Sequence, residues 1–554
     1  MLSRLRGAVP HHYRRRSGVH ALVAQAPRAL SSAAAERIVF ASPHRTVPIP
    51  DETIWDVVAA QAAQIGERPA FVCGLTDESV SFQQLHDDAL KVAAGLRADG
   101  IKKGDVVLMH SFNCMEYPAT FLALSALGAV CSTASPLMLA KDLARQAQAA
   151  NARAIITNRA LESVAIEAAE LVGLNKNCIY AMGTTPADSR VKSINELTRW
   201  SGKSDFIPSS LDPDAVAVLP FSSGTTGMPK GVALSGRNLM ANTVQVTEIE
   251  DLGKTILGLL PFFHIYGLFL LHLGIYQGST KVVLPRFEPE TFLTAMTKHR
   301  IEKAHIAPPV ALFLANHPLV DKFDLTATKF LVSGGAPMGK EVEGLVKKRI
   351  GVGVKQAYGM TEASPAVNYS EDDLRKEGSV GRLIPNTELR VRCTLIGKDL
   401  GANEPGELLY RGPQVMKGYL NNPKANQAVF TDDGFLCTGD IGLIDEDGFV
   451  FVLDRVKELI KYKAYQVPPA ELEDVLNHHP AISDACCVRG KDPATGEEVP
   501  KAYVVRKDPM LTEQEVMDFV ASKVPSYKKV RQVEFIEAIP KSPTGKILRR
   551  ILQE

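Results

Sequence analysis

Apolar residues recur at three- and four-residue spacing over residues 54–65 and again over 81–98, where Leu85, Ala89, Val92, Ala93 and Leu96 share one face. That period predicts two amphipathic helices. Short apolar runs at 70–73, 105–109 and from 129 predict strands, with helix at 117–127 between the last two. Further alternation predicts helix at 141–150, strand at 154–157, helix at 161–172 and strand at 178–181. Strands separated by helical runs predict an α/β architecture with largely parallel sheets flanked by helices. A polar stretch over 184–214 leads to an apolar run at 215–221, and then helix is predicted at 238–246 and strand at 255–260. The run at 261–268 begins another helix, and strands follow at 329–333 and 354–357. From residue 384 the pattern turns β-rich, with strands at 388–393, 406–411, 435–438 and 449–453 between turn signals such as Asp432-Asp433-Gly434. After Asp454-Arg455-Val456-Lys457 come about 100 residues with their own βαβ-like alternation.

Length, composition and the chain ends add to this picture. At 554 residues the chain is too long for one core and divides into about three or four domain-sized units. A net charge of +1 gives no support to nucleic-acid or membrane-surface binding. Eight scattered cysteines without a C-x-x-C pair argue against a disulfide framework or zinc site and fit a reducing compartment. The apolar runs at 117–140 and 255–280 are interrupted by hydroxyl residues, glycine, proline and histidine, so they read as buried core rather than membrane spans. The first 35 residues hold six arginines and no acid, with many small residues. Such a leader predicts an organellar transit peptide of the mitochondrial kind, with an unstructured basic tail or a mis-assigned start codon as the alternatives. Its removal leaves 57 basic against 62 acidic residues. The terminal Ile551-Leu552-Gln553-Glu554 carries no peroxisomal Ser-Lys-Leu address.

The candidate chemistry is organised around Ser222-Ser223-Gly224-Thr225-Thr226-Gly227-Met228-Pro229-Lys230-Gly231. Glycines let a backbone approach an anion, and the hydroxyls and lysine add donors and charge, so this reads as a phosphate cradle. It is not a Walker A loop, because Lys230 lies between Pro229 and Gly231; the plainer reading is a Ser/Thr/Gly turn. His264 follows a strand in an α/β pattern, where ligand crevices open, though a histidine among apolar residues also serves as core. Ser333-Gly334-Gly335-Ala336-Pro337 reads as a close-approach turn. In Tyr358-Gly359-Met360-Thr361-Glu362, Thr361 can donate to a phosphate and Glu362 can hold Mg²⁺, or the pair simply caps a helix. Asp440 offers two oxygens to a ribose, or is a turn aspartate. Lys546 sits on a basic tail where a lysine is ordinarily a solvated charge.

Together these stretches resemble the adenylate-forming superfamily, in its 4-coumarate–CoA ligase-like, acyl-CoA synthetase branch, from about residue 53 to the C-terminus. The motifs at 222–231, 261–268, 333–337, 358–362, 406–412, 419–423, 438–442, 454–467 and 540–549 occur in the family's order. The resemblance implies a large N-terminal domain at 41–453 with a β-rich subdomain, a hinge at 454–457 and a small mobile α+β domain at 458–554, behind a leader at 1–40. It implies a ligase that adenylates a carboxylic acid with MgATP, releasing pyrophosphate, and then passes the acyl group to coenzyme A. Ser222, Ser223, Gly224, Thr225, Thr226, Gly227 and Lys230 would hold the β- and γ-phosphates, Thr361 the α-phosphate and Glu362 the Mg²⁺. Gly335, Ala336, Pro337, Gln356, Ala357, Tyr358 and Gly359 would line the adenine, and Asp440 and Arg455 the ribose. Lys546 would reach the reacting carboxylate and α-phosphate, and His264 the carboxylate. Rotation about Lys457 would then replace Lys546 by Lys461 and Gln466. Two departures stand out: Ala464 occupies a position where the family usually has glycine, and Ala357 and Pro365-Ala366-Val367 alter the pocket wall. The substrate is expected to be a phenylpropenoic, aryl or medium- to long-chain fatty acid. The alternatives are a lapsed nucleotide-binding protein and a luciferase-like or adenylate-only member of the same fold.

Overall fold

A computed structural model describes residues 37–183, 186–198, 206, 208, 211–222, 229–336, 338–462, 465–493, 495–542 and 545–553. Up to residue 182 the expected helices and strands form within two residues of their predicted limits. The helix Phe82–Ala98 starts where Ser81 accepts the Gln84 N–H and the Gln84 side chain returns to the Ser81 N–H, a reciprocal cap. Glu116–Leu127 is apolar on almost every side and is accordingly buried all round, with Tyr117, Leu122 and Leu124 fully enclosed.

Among the described residues the chain builds two nine-stranded sheets, a six-stranded sheet, a three-stranded sheet and a two-stranded hairpin. The first is parallel through Val106–His110, Val130–Ala134, Ala152–Asn158 and Ile179–Met182, with antiparallel pairing around Lys230–Ser235. The second is parallel through six strands, namely Pro69–Cys73, Thr280–Val283, Thr255–Gly258, Lys303–Ile306, Phe330–Ser333 and Gly353–Gly359. The six-stranded sheet is antiparallel and includes Glu388–Arg392, Gly406–Arg411, Leu436–Ile444 and Val450–Arg455. The three-stranded sheet holds Ile482–Lys491 antiparallel to Glu498–Arg506, which lies parallel to Gln532–Phe535. The α/β architecture with a β-rich part and a small α+β C-terminal part is thus the fold of this chain.

Four expectations need correction. The helix expected from residue 261 begins at Ile265. The strand expected at 354–357 continues to Gly359, and the one at 435–438 continues to Ile444. Asp440 therefore lies in a strand, not in a turn. The opening of the C-terminal part is an antiparallel hairpin, Ile460–Tyr462 against Tyr465–Val467, rather than the start of a βαβ unit. Residues 1–36, the bulk of the expected leader, lie outside the described residues. Its expected end at 40 falls within the strand Phe40–Ala41, which pairs with Glu388–Arg392, and the Ile38 N–H donates to Asp399. No described helix is long and apolar enough to cross a membrane, all eight cysteines are free, and the described residues hold no cluster of three metal-ligating side chains.

Lys303 and Lys355 of the second sheet meet Glu250 and Asp372, which come from loops, in a cluster of charge. The buried Glu250 accepts from Lys303 at 2.8 Å and from Lys355, and Asp372 accepts from the same two lysines at 2.8 and 2.6 Å. Lys355 is 1% exposed and Glu250 2%. Each charge has a partner of opposite sign, without which burial would cost several kcal/mol.

Candidate active site

The carboxyl ends of the parallel strands in the second sheet fall on one edge, where α/β folds open their ligand crevices. After Thr255–Gly258 the chain runs to His264 under the control of a buried asparagine. Asn113 Nδ2 donates to the carbonyls of Gly258, Leu260 and Leu284 at 3.2, 3.1 and 3.3 Å, while its Oδ1 accepts the Phe262 N–H at 2.7 Å. His264 is the N-cap of the helix Ile265–Tyr276, its Nδ1 accepting the Tyr266 N–H at 3.3 Å. With Nδ1 an acceptor, a neutral ring carries its proton on Nε2. Burial, and then the charge of Lys546, lower this imidazole to about 4, so it is neutral near pH 7. Gly267 is required one turn on, because a Cβ there would stand 2.1 Å from the Pro261 carbonyl oxygen.

Two further strands, Phe330–Ser333 and Gly353–Gly359, carry the residues expected at the adenine. Gly334 lies against the Tyr266 ring, whose Cε1 would be 2.9 Å from a Cβ at that position, and Gly335 turns through φ +87. Ala336 is half-buried, and Pro337 lies outside the described residues. Gln356 spends its amide on the Met338 carbonyl at 3.2 Å and Glu343 at 2.6 Å, so it braces the helix Lys340–Ile350 against the strand. Ala357, Tyr358 and Gly359 are half-buried along the crevice. The Tyr358 hydroxyl donates to Asp440 Oδ2 at 2.6 Å. Arg455 Nε reaches the other oxygen of Asp440 at 3.1 Å, as it must, since Asp440 and Arg455 are directly paired across their two strands. The expected ribose pair is thus assembled by antiparallel register.

Thr361 and Glu362 follow in a short helical turn, Thr361–Ala363, capped by Met360 rather than by a side chain, so the capping alternative fails. Glu362 Oε1 accepts the hydroxyls of Ser222 and Tyr419, each at 3.0 Å. Lys230 lies with its ammonium 4.8 Å from the centre of the Tyr419 ring. Ser223, Gly224, Thr225, Thr226 and Gly227 lie outside the described residues, but the flanking Ser222 and Lys230 face each other as paired strand residues. A carboxylate oxygen is the right donor for Mg²⁺, and with both hydroxyls spent on Oε1 the donor set leaves Oε2 for a cation. Glu362 alone fits a magnesium held mainly by phosphates.

The C-terminal part is docked on this edge. Gly545 packs on Pro309, whose Cδ would be 2.7 Å from a Cβ there, and it turns through φ +80. His478 pairs with Glu341, and Asp474 Oδ1 comes within 2.6 Å of a Cβ placed on Gly339. This docking brings Lys546 to Arg455, Asp440 and His264. Burial, and then Arg455, lower its ammonium to about 8, against the raising charges of Asp440 and Glu458. The solvated-tail alternative therefore fails for Lys546. The structure does not gather every expected residue. Lys461 is exposed on the hairpin, its N–H donating to Glu498 at 2.7 Å, and it is not among the groups whose charge acts on Lys546. Gln466 is its strand partner, with a side chain outside the description, as are all atoms of Ala464. Lys457 lies between the two parts, its carbonyl accepting from Arg489 at 2.7 Å.

Sequence reasoning missed Asn113, Tyr419 and the pair Tyr266–His305, whose hydroxyl and Nδ1 are 2.9 Å apart. Nothing local marks Asn113, since its partners are 145 or more residues away. Tyr419 lay within a recognised motif without a role.

Residues 58–420 match the family described as AMP-binding enzyme, and residues 471–546 match the AMP-binding enzyme C-terminal domain. The chain is 40% identical over 537 residues to the probable 4-coumarate–CoA ligase 1 of Dictyostelium discoideum, covering 93% of this chain and 97% of that one. It is 39% identical over 538 residues to the 4-coumarate–CoA ligase 3 of Oryza sativa subsp. japonica, covering 94% and 96%. Its fold superposes with a TM-score of 0.78 on the o-succinylbenzoate CoA synthetase of Bacillus subtilis in complex with an acyl-adenylate, at 26% identity over 91% of this chain and 98% of that one. With the family model matched over residues 58–420 and relatives 39–40% identical along most of its length, the chain belongs to the AMP-binding enzyme family.

Proposed function

We propose that this enzyme is an ATP-dependent acid–CoA ligase. The observation that carries the proposal is the convergence of Lys546, from the C-terminal part, on His264, Asp440 and Arg455 at the strand ends. Asp440 and Arg455 would bind the ribose, and the turn at Gly334, Gly335 and Ala336 with Ala357 and Gly359 would lie along the adenine. Lys230 and the 222–227 loop would hold the β- and γ-phosphates. The carboxylate oxygen attacks the α-phosphorus as the bond to pyrophosphate breaks. Two anions must be brought together, so positioning and cationic neutralisation carry this step. Lys546 would neutralise both anions, and neutral His264 would donate from Nε2 to the carboxylate. Thr361 would donate to the α-phosphate. Magnesium bound at Glu362 would supply further neutralisation of the phosphates.

For the second step the thiol sulfur of coenzyme A attacks the acyl carbonyl and AMP leaves. Lys546 would obstruct that approach, so we propose that the C-terminal domain turns about the 454–457 hinge and presents Lys461 and Gln466. Relatives named 4-coumarate–CoA ligases support a phenylpropenoic or aryl acid. The crevice beside His264 agrees with a compact acid rather than a long-chain fatty acid. Tyr266 is half-buried there, and behind it stand His305, Tyr369 and the charged cluster at Lys355, which could not be displaced cheaply. Residues 1–40 are proposed as a mitochondrial leader, tested by imaging them fused to a fluorescent reporter.

The deciding experiment is pyrophosphate release measured over hydroxycinnamates, benzoates and medium- and long-chain fatty acids, with and without coenzyme A. Acid-dependent release with thioester formation is expected. Release that never depends on an added acid would sink the ligase reading.

A further inference from the structure

Glu362 and Lys230 come from segments more than a hundred residues apart, yet one side chain touches both. The Tyr419 hydroxyl donates to Glu362 Oε1 at 3.0 Å, and the face of the same ring lies 4.8 Å below the Lys230 ammonium. Tyr419 is itself held firmly. Gly418–Tyr419 pairs antiparallel with Lys230–Ser235, placing Tyr419 opposite Val232. The Tyr419 N–H donates to Asn426 Oδ1 at 2.6 Å, and its carbonyl accepts from Asn426 Nδ2 at 3.1 Å.

A carboxylate with two lone-pair-bearing oxygens and a free torsion can present either to a ligand. Here Tyr419 and Ser222 both spend their hydroxyls on Oε1, which fixes the torsion and leaves Oε2 as the basic oxygen. The ring face, negative by its quadrupole, attracts the ammonium of Lys230 beside it. We propose that Tyr419 is a positioning residue, setting the Glu362 carboxylate for a divalent cation through its hydroxyl and the Lys230 ammonium for a phosphate through its ring. The inference rests on the reading of Glu362 as the magnesium carboxylate and Lys230 as a phosphate lysine.

Because the two contacts use different atoms of one side chain, two substitutions separate them. The full-length protein is titrated calorimetrically with ATP in the presence of Mg²⁺ and, separately, in the presence of EDTA. Tyr419→Phe keeps the ring and loses the hydroxyl; affinity for MgATP should fall about tenfold while affinity for metal-free ATP holds. Tyr419→Leu loses both contacts and should weaken both titrations. Glu362→Gln should lower affinity for MgATP, and adding Tyr419→Phe to it should cost nothing more, since one acts through the other. Unfolding midpoints equal to the parent's exclude a merely structural loss. If Tyr419→Phe changes both titrations alike, or neither, the positioning role is wrong. If Glu362→Gln binds MgATP as the parent does, it is the magnesium reading of Glu362 that falls.

Discussion

Two groups of lysines and carboxylates lie in the N-terminal part of this chain, and they are built on opposite rules. In the cluster of Glu250, Lys303, Lys355 and Asp372, two cations face two anions, and each lysine touches both carboxylates. At the crevice, Glu362 is held by hydroxyls and Lys230 rests on an aromatic face, and both are half-buried. The first arrangement has nothing left to offer a ligand. The second fixes the geometry of its charges with neutral groups and leaves the charges themselves unspent. Pairing serves the fold; withholding the pair serves a ligand.

The comparison breaks most visibly if each cluster is damaged in turn. Lys355→Met leaves Glu250 and Asp372 facing one lysine in the core and should cost about 3–5 kcal/mol in chemical denaturation, with ATP affinity of the folded protein retained. Glu362→Gln should show the reverse, an unchanged denaturation curve and slower adenylation. Lys546→Ala should lower carboxylate-dependent pyrophosphate release by about 10²–10³-fold. It should leave conversion of supplied acyl-adenylate to thioester largely intact, whereas Lys461→Ala should slow mainly that transfer. Equal loss of both half-reactions in Lys546→Ala would end the domain-rotation reading.

A pH series sharpens the contrast further. The Lys546 ammonium, lowered to about 8, loses its proton as pH rises through that value, so adenylation should decline on the alkaline side by about tenfold per unit. Lys546→Arg, with a permanent charge, should remove that limb even if its rate is lower. The stability consequence has the opposite sign. Between about 8 and the ordinary lysine value of 10.5 the unfolded chain binds the extra proton, so this group's penalty is present below about 8 and is relieved as pH rises. The smallest effect is expected at the proposed acyl wall. Tyr266→Phe removes the hydroxyl that meets His305 and should lower kcat/KM for hydroxylated aryl acids only a few-fold, with unsubstituted acids unaffected.

Much of the crevice was legible because its residues sit in short motifs whose chemistry is local. Gly334 and Gly335 announce a close approach, and Thr361-Glu362 a phosphate and cation pair. The strand that carries Asp440 was underestimated, ending at residue 438 with Asp440 offered as a turn aspartate; pairing with Gly406–Arg411 and Val450–Arg455 on either side extends it to Ile444. Asn113 and Tyr419 were invisible as functional residues, since a hydrogen bond across 57 or 145 positions leaves no periodicity behind.

What the sequence determined by itself was the alternation of helix and strand, the segments that carry chemistry and their order along the chain. These follow from side-chain periodicity and backbone preference, which act over a few residues. Only the tertiary structure decided which of those segments meet. Antiparallel register set Asp440 against Arg455, and docking of the C-terminal part brought Lys546 to His264. Burial then gave these groups their character, because the cost of removing a charge from water depends on the neighbours the fold supplies. The same lysine that is an ordinary surface charge on a basic tail becomes, once enclosed, a cation poised to lose its proton near pH 8.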